Sequence, residues 1–288
     1  MPPVVNKQSP KTIKTTTRTS RSGSVLDRIA PVEFDSDEGI KMLLYGESGT
    51  GKTTFWSTFP GPILAIVCSG GNRAGELRSL GSDARKKVQT VTLESSSEMK
   101  ELVEHAKGGE FQTVVLDHAS GLQDLVLKEL LGLDEIPAQK SFGMASQQTY
   151  GQCTQMVKEY VRALLNLSCN VVIVAQQRTF GGKDDGLDPE LIKPTVGAGL
   201  VPSMASWLNS SCDYCVNTFV QGKYADKTQT IAGKPVTTRV KEKGVEFALR
   251  TGKHEVYYTK FRLPMGAVLP DSIVNPTYDK VISLIRGK

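Results

Sequence analysis

The run Gly46-Glu47-Ser48-Gly49-Thr50-Gly51-Lys52-Thr53 limits this chain's possible folds more than any other feature. It has the Walker A form: glycine, four residues, glycine, lysine, threonine. The apolar segment Lys41-Met-Leu-Leu-Tyr45 precedes it and reads as a buried strand. Lys52 to Thr58 reads as the helix that follows, stopped near Pro60. A strand, a glycine-rich loop and a helix in that order make a phosphate cradle. Glycines let the backbone wrap so that successive N–H groups converge on phosphate oxygens. The helix adds its positive end. Lys52 would reach the β- and γ-phosphates, Thr53 would ligate Mg²⁺ and Thr54 would lie toward the α-phosphate. The candidate contacts are therefore Gly46, Glu47, Ser48, Gly49, Thr50, Gly51, Lys52, Thr53 and Thr54.

Short apolar runs alternate with amphipathic ones beyond this loop. Strands are expected at Ile63–Val67, Val88–Leu93, Thr113–Leu116 and Val171–Ala175. Helices are expected at Ser96–Ala106 (with Ser95–Ser97 as N-caps), Leu122–Leu131 and Gln147–Leu167. The order predicts an α/β fold: a mainly parallel sheet covered by helices on both sides, with ligands at the carboxyl ends of the strands. Arg178–Gly199 reads as a long mobile loop, Val201–Leu208 as a short helix and Asp213–Val220 as a strand. Residues 236–262 read as antiparallel strands turning at Lys243-Gly244 and Thr251-Gly252, and Tyr278–Ile285 as a last helix.

Two carboxyl-end positions join the phosphate loop. Val114-Val115-Leu116-Asp117 is an apolar strand ending in a carboxylate, where a Walker B aspartate would hold Mg²⁺ directly or through water. Val171–Ala175 delivers Gln176 and Gln177 to the same rim, where an amide could sense the γ-phosphate. His118, next to Asp117, reads as a loop histidine.

Charge separates the first residues from the rest. The formal net charge is +5, and residues 1–26 hold Lys7, Lys11, Lys14, Arg18 and Arg21 with no acid. The arm, residues 1–30, is rich in Thr, Ser and Pro and is expected to be disordered; residues 31–288 are expected to form the folded domain. No apolar run reaches the roughly 18 residues of a membrane span, and no secretory signal is expected. Five scattered cysteines, an odd number, fit a reducing compartment. Cys212-x-x-Cys215 lacks the second ligand pair that structural zinc requires, so the two cysteines read as partly buried strand residues. Trp56 and Trp207 read as packing residues.

The set YGESGTGKTT, TVVLDH and VVIVAQQ resembles the RecA-like ATPase core, and more narrowly the phage RecA-like ATPases grouped with Sak-type single-strand annealing proteins. The resemblance covers roughly residues 39–265. It implies ATP with Mg²⁺ at Thr53 and Asp117, Gln176 as allosteric sensor, a cytoplasmic phage or bacterial setting, and a homo-oligomer acting on single-stranded DNA. A single-strand-binding or replication protein would be a partner. It implies a DNA-contacting loop at Arg178–Gly199, although the charges there are mixed. It also implies that Lys260 and Arg262, on one face of a strand, reach a neighbour's γ-phosphate. The catalytic set would thus be Lys52, Asp117, Gln176, Lys260 and Arg262. One departure concerns hydrolysis. The family carries a glutamate after the second strand, whereas this chain reads Cys68-Ser69-Gly70-Gly71, with Glu76 and Glu94 as displaced substitutes. Two other classes fit the same motifs: a nucleotide-gated replication adaptor or helicase loader, and a P-loop kinase.

Overall fold

The computed structural model describes residues 39–68, 80–133, 146–181, 194–231 and 234–287. The basic arm, residues 69–71, Glu76 and residues 182–193 of the expected loop lie outside them. The described residues belong to one compact unit, Glu38–Lys288.

Strand β1 (Lys41–Gly46) sits inside the sheet and is buried along its whole length. Its side chains alternate: Met42 and Leu44 enter one apolar cluster, Leu43 and Tyr45 the other. Burial on both faces explains why the run is continuously apolar. Each such side chain contributes about 1.5–3 kcal/mol of transfer free energy.

Parallel strands flank it. β5 (Asn170–Phe180) lies on one side, followed by β4 (Thr113–Asp117), β2 (Ile63–Val67) and β3 (Val88–Thr92). On the other side lie β7 (Tyr214–Ile231), parallel to β1, then antiparallel β8 (Lys234–Arg250) and β10 (Ser272–Val274). Helices α1 (Lys52–Trp56), α2 (Ser82–Lys87) and α7 (Tyr278–Ile285) serve the Met42 face. Helices α3 (Glu98–Lys107), α4 (Ala119–Leu131), α5 (Gln147–Leu165) and α6 (Pro202–Ser211) serve the Leu43 face. Trp56 is wholly buried on the α1 side, and Trp207 carries the Arg162 guanidinium 5.6 Å above its ring on the other.

Helix ends are tied by side chains. Ser146 caps α5 and Thr277 caps α7. The serines before α3 do not cap it as expected. The Glu98 carboxylate instead accepts from Glu94 N at 3.0 Å, and Ser96 N donates to Glu129 at 2.7 Å. At the amino ends of the strands the Lys41 ammonium donates to the carbonyls of Leu167 and Cys169, just past α5.

The expected C-terminal layout is corrected in three places. β5 does not stop at Ala175. It runs on through Phe180 and pairs antiparallel with β6 (Thr195–Ala198), so both ends of the expected loop are ladder. β7 and β8 form one long hairpin in which Ile231 faces Lys234, and Lys243-Gly244 lies at a bulge opposite Gly222–Tyr224. The Tyr257–Arg262 strand shrinks to β9 (Lys260–Phe261), paired with Tyr214 and Cys215. Residues 221–231, for which no element was expected, belong to this hairpin; past the sheet it has no core to cover, so no apolar alternation marks them.

Candidate nucleotide site

The phosphate loop is wound as its glycines predict. Gly49 has φ of 77° and Gly51 of 86°, the left-handed region that turns backbone N–H groups inward. A Cβ on Gly46 would stand 2.2 Å from Thr218 Oγ1 and 2.9 Å from Thr50 Oγ1, so only glycine fits. Thr50 Oγ1 donates to Glu47 O at 2.8 Å and meets Thr218 Oγ1 at 2.6 Å, which clips the loop to β7. The Lys52 ammonium folds back over the loop onto Gly46 O (2.9 Å) and Glu47 O (2.7 Å). It is thus held at the mouth of the loop, where a phosphate oxygen could replace those carbonyls. Glu47, Ser48, Gly49 and Thr54 are exposed, and Thr50 is buried.

Strand alternation brings the other candidates to the same side. Val115 and Val174 belong to the α1-side cluster, so Asp117 and Gln176, two residues further on, also face α1. Gln176 pairs with Gly46 across one strand spacing, about 4.8 Å. Asp117 lies two spacings from β1, about 10 Å, which suits a carboxylate that reaches a metal through water. Glycines forming a cradle, a lysine at its mouth, a threonine hydroxyl and a facing carboxylate fit a Mg²⁺–nucleoside triphosphate. Lys52 and the loop amides would hold the phosphates, and Thr53 and Asp117 the metal. The metal would supply charge neutralisation at the phosphates.

His118 has a structural job. Its Nδ1 accepts from Gly121 N at 2.8 Å and caps α4, after a cis Asp117–His118 peptide. That geometry puts the ring proton on Nε2.

Reading the sequence alone missed a second tier. Beside Gln176, which pairs with Gly46, the Gln177 side chain reaches the loop: its Nε2 donates to Glu47 Oε1 at 3.3 Å. Its Oε1 accepts from Asn217 Nδ2 at 3.1 Å, and Asn217 Oδ1 accepts from Arg250 at 3.1 Å. The Arg250 guanidinium is stacked between Tyr257 (3.9 Å) and Phe219 (4.4 Å). Asn217, Thr218 and Arg250 lie far from the loop in sequence, and no local motif marks them.

Lys260 and Arg262 stand elsewhere. β9 is level with Tyr214 and Cys215, which pair with Met42 and Leu43 near the start of β1. That is about 10–13 Å along the strands from Gly46. Lys260 donates to the carbonyls of Asn209 (3.2 Å), Ser210 (3.1 Å) and Cys212 (2.6 Å), which close the end of α6. Arg262 pairs with Asp213 at 2.6 Å. Glu94 is four strand spacings from β1, about 19 Å, too far to orient water at this loop in the same chain. Burial pushes the Cys215 thiol up to about 12 and raises that of Cys212 well above its ordinary value. Among the described residues no group of three His, Cys, Asp or Glu could hold a metal. Among the same residues no helix is long and apolar enough to cross a membrane.

Comparison with known proteins agrees with this geometry at the level of the family. The structure is similar to the flagellar accessory protein FlaH from Methanocaldococcus jannaschii, with 10% identity and a TM-score of 0.40, covering 83% of this chain and 85% of that one. It is also similar to the KaiC-like protein PH0186 from Pyrococcus horikoshii OT3, with 14% identity and a TM-score of 0.42, covering 83% and 90%. No curated protein sequence matches. The sequence pattern of the AAA domain matches residues 38–263, most of the chain and all of the site. The chain belongs to the AAA-domain family of P-loop ATPases.

Proposed function

We propose that this nucleotide-binding domain is an ATP-dependent, RecA-like protein of the Sak type that binds single-stranded DNA and assists recombination or strand annealing as a homo-oligomer. The observation that supports this reading is the continuity of β5. One strand carries Gln176 opposite Gly46, Gln177 bonded to Glu47, and then Arg178–Phe180 paired with β6. A change at the phosphates therefore has a direct covalent path into the β5–β6 arm, and the sequence between these two strands holds Lys183 and Lys193 beside Asp184, Asp185, Asp188 and Glu190. DNA on that arm and nucleotide at the loop would be linked reciprocally.

The test is ATP hydrolysis by the full chain with and without single-stranded DNA, beside Lys52→Ala. Turnover that rises with DNA and vanishes in the variant is expected. Turnover indifferent to DNA would overturn the DNA-linked reading and favour a P-loop kinase.

A second reading, a nucleotide-gated replication adaptor or helicase loader, draws on a different observation. Glu94 is remote, and Lys260 and Arg262 are engaged within their own chain. Tight ATP binding with almost no turnover, DNA present or absent, would select it.

A further inference from the structure

The phosphate loop fixes which way a nucleotide must lie. Thr53, Asp117 and Gln176 mark the metal and γ-phosphate end, and Asp117 and Gln176 are on strands to the β5 side of β1. The nucleoside must then leave toward the other neighbours, β7 and β8. There the α1-side face of the hairpin carries an exposed apolar strip. Alternation from the buried pair Thr218 and Leu249 places Val220 and Phe247 opposite one another on this face, with Val245 beyond. Val220 is 41% exposed, Phe247 37% and Val245 67%.

Phe247 is not a loose surface ring. It lies on the loop itself: a Cβ on Gly51 would come within 2.8 Å of its Cγ. Its carbonyl is fixed by Asn275 N at 2.7 Å. The ring rests against the last glycine before Lys52, keeps about a third of its surface open to solvent and is continuous with two branched apolar side chains. It is open where the nucleoside must pass.

We infer that Phe247, with Val220 and Val245 beside it, is the platform on which the nucleobase of the bound nucleotide packs. The contact is dispersion and apolar burial, with no hydrogen bond to a base edge. It therefore favours the larger purine face over a pyrimidine without separating adenine from guanine. The inference rests on the loop holding the nucleotide's phosphates, and inorganic tripolyphosphate separates the two claims because it has the phosphates and no base.

The experiment measures binding of Mg–ATP and of Mg–tripolyphosphate to the full chain by calorimetry, for wild type, Phe247→Ala, Phe247→Tyr and Lys52→Ala. Phe247→Ala is expected to weaken ATP about 10- to 100-fold and leave tripolyphosphate within about twofold, the size of a lost base–aromatic stack. Phe247→Tyr keeps the ring and should keep the affinity. Lys52→Ala should weaken both ligands. Phe247→Trp adds a spectroscopic readout: emission beyond that of wild type should change on adding ATP and stay constant with tripolyphosphate.

Three results would overturn the inference. The first is unchanged ATP affinity in Phe247→Ala, which would leave the strip as a subunit contact. The second is an equal loss for both ligands, which would make Phe247 a support of the loop. The third is wild type that binds ATP no tighter than tripolyphosphate. Binding of neither ligand to wild type would instead overturn the phosphate loop itself. The thermal midpoint of each variant without ligand shows whether folding is intact; if the alanine variant fails to fold, the Phe247→Trp emission carries the test, and an emission unmoved by ATP overturns the inference.

Discussion

Replacing Lys260 with methionine distinguishes a helix tie from a cation that acts on a neighbour's nucleotide. The side chain is half-buried, and its ammonium serves the carbonyls of Asn209, Ser210 and Cys212 at the carboxyl end of α6. Methionine keeps most of the stem and removes the charge and all three donors. The three bonds share one charge, so they do not add. A hydrogen-bonded cation is worth about 1.5–3 kcal/mol, and a charge at a partly buried helix end up to about 2 kcal/mol. Carbonyls left at the half-buried site recover part of this from water. The net expectation is a loss of about 2–3 kcal/mol, or roughly 4–12 °C in Tm for a domain of this size. Arg262→Met is the internal comparison. Its Asp213 pair is at the surface, with 62% of the arginine side chain exposed, and should contribute under about 1 kcal/mol. Urea melts read the stability, and ATP binding to the folded variants should be unchanged. The reasoning fails if Lys260→Met melts with wild type while ATP turnover falls 100-fold or more. That pattern belongs to a trans-acting cation, whose loss is worth about 10³–10⁵ in rate.

Three further outcomes follow from the same geometry. Gly46→Ala forces a Cβ to 2.2 Å from Thr218 Oγ1 and 2.6 Å from Thr218 O, so nucleotide affinity should drop at least about tenfold in calorimetry, with about 1–3 kcal/mol lost from stability. Asn217→Ala should cost about 2–3 kcal/mol in urea melts, because the residue is 1% exposed and links Gln177 to Arg250. Native-state alkylation at pH 8 should spare Cys215, whose thiol is pushed up to about 12 by burial and so is roughly 0.01% thiolate there, and its rate should rise about tenfold per pH unit. The matching linkage has a definite sign. Raised thiol and phenol values at Cys215 and Tyr214 favour the protonated fold, so their contribution is intact below the ordinary values of 9.0 and 10.0 and is lost as pH rises through about 12.

The legible parts of this fold were those whose signal is local. β1, β2 and α7 carry their burial in the run itself, and Gly46–Thr53 carries its chemistry in residue type and spacing. Asp117 and Gln176 were readable because apolar strands in a parallel sheet deliver whatever follows them to one rim. The hairpin was legible only in part: strands were expected at Asp213–Val220 and over residues 236–262, while residues 221–231 carried no signal. Residues such as Tyr224-Ala-Asp-Lys-Thr228 have neither apolar alternation nor a core to demand it, and pairing with residues 237–241 is what makes them strand. The contacts Lys260 makes within its own chain were not readable, because a basic residue two positions from another carries no record of what it faces. Only the position of α6 shows that its ammonium closes a helix end.

That hairpin forms one wall of the loop, which changes how the domain is divided. Thr218 clips Thr50, and the Phe247 ring covers Gly51, so the loop's conformation at both positions is set by strands that begin about 160 and 180 residues later in the chain. On the opposite face of the same strands, Asn217 and Arg250 steady Gln177 against Glu47. A cradle built only from β1, the loop and α1 would leave Thr50 and Gly51 without the neighbours that hold their conformation. The phosphate site is therefore a joint product of the amino-terminal motif and the carboxyl-terminal hairpin. A fragment ending after β5 should retain the Walker A residues and lose the pocket they line.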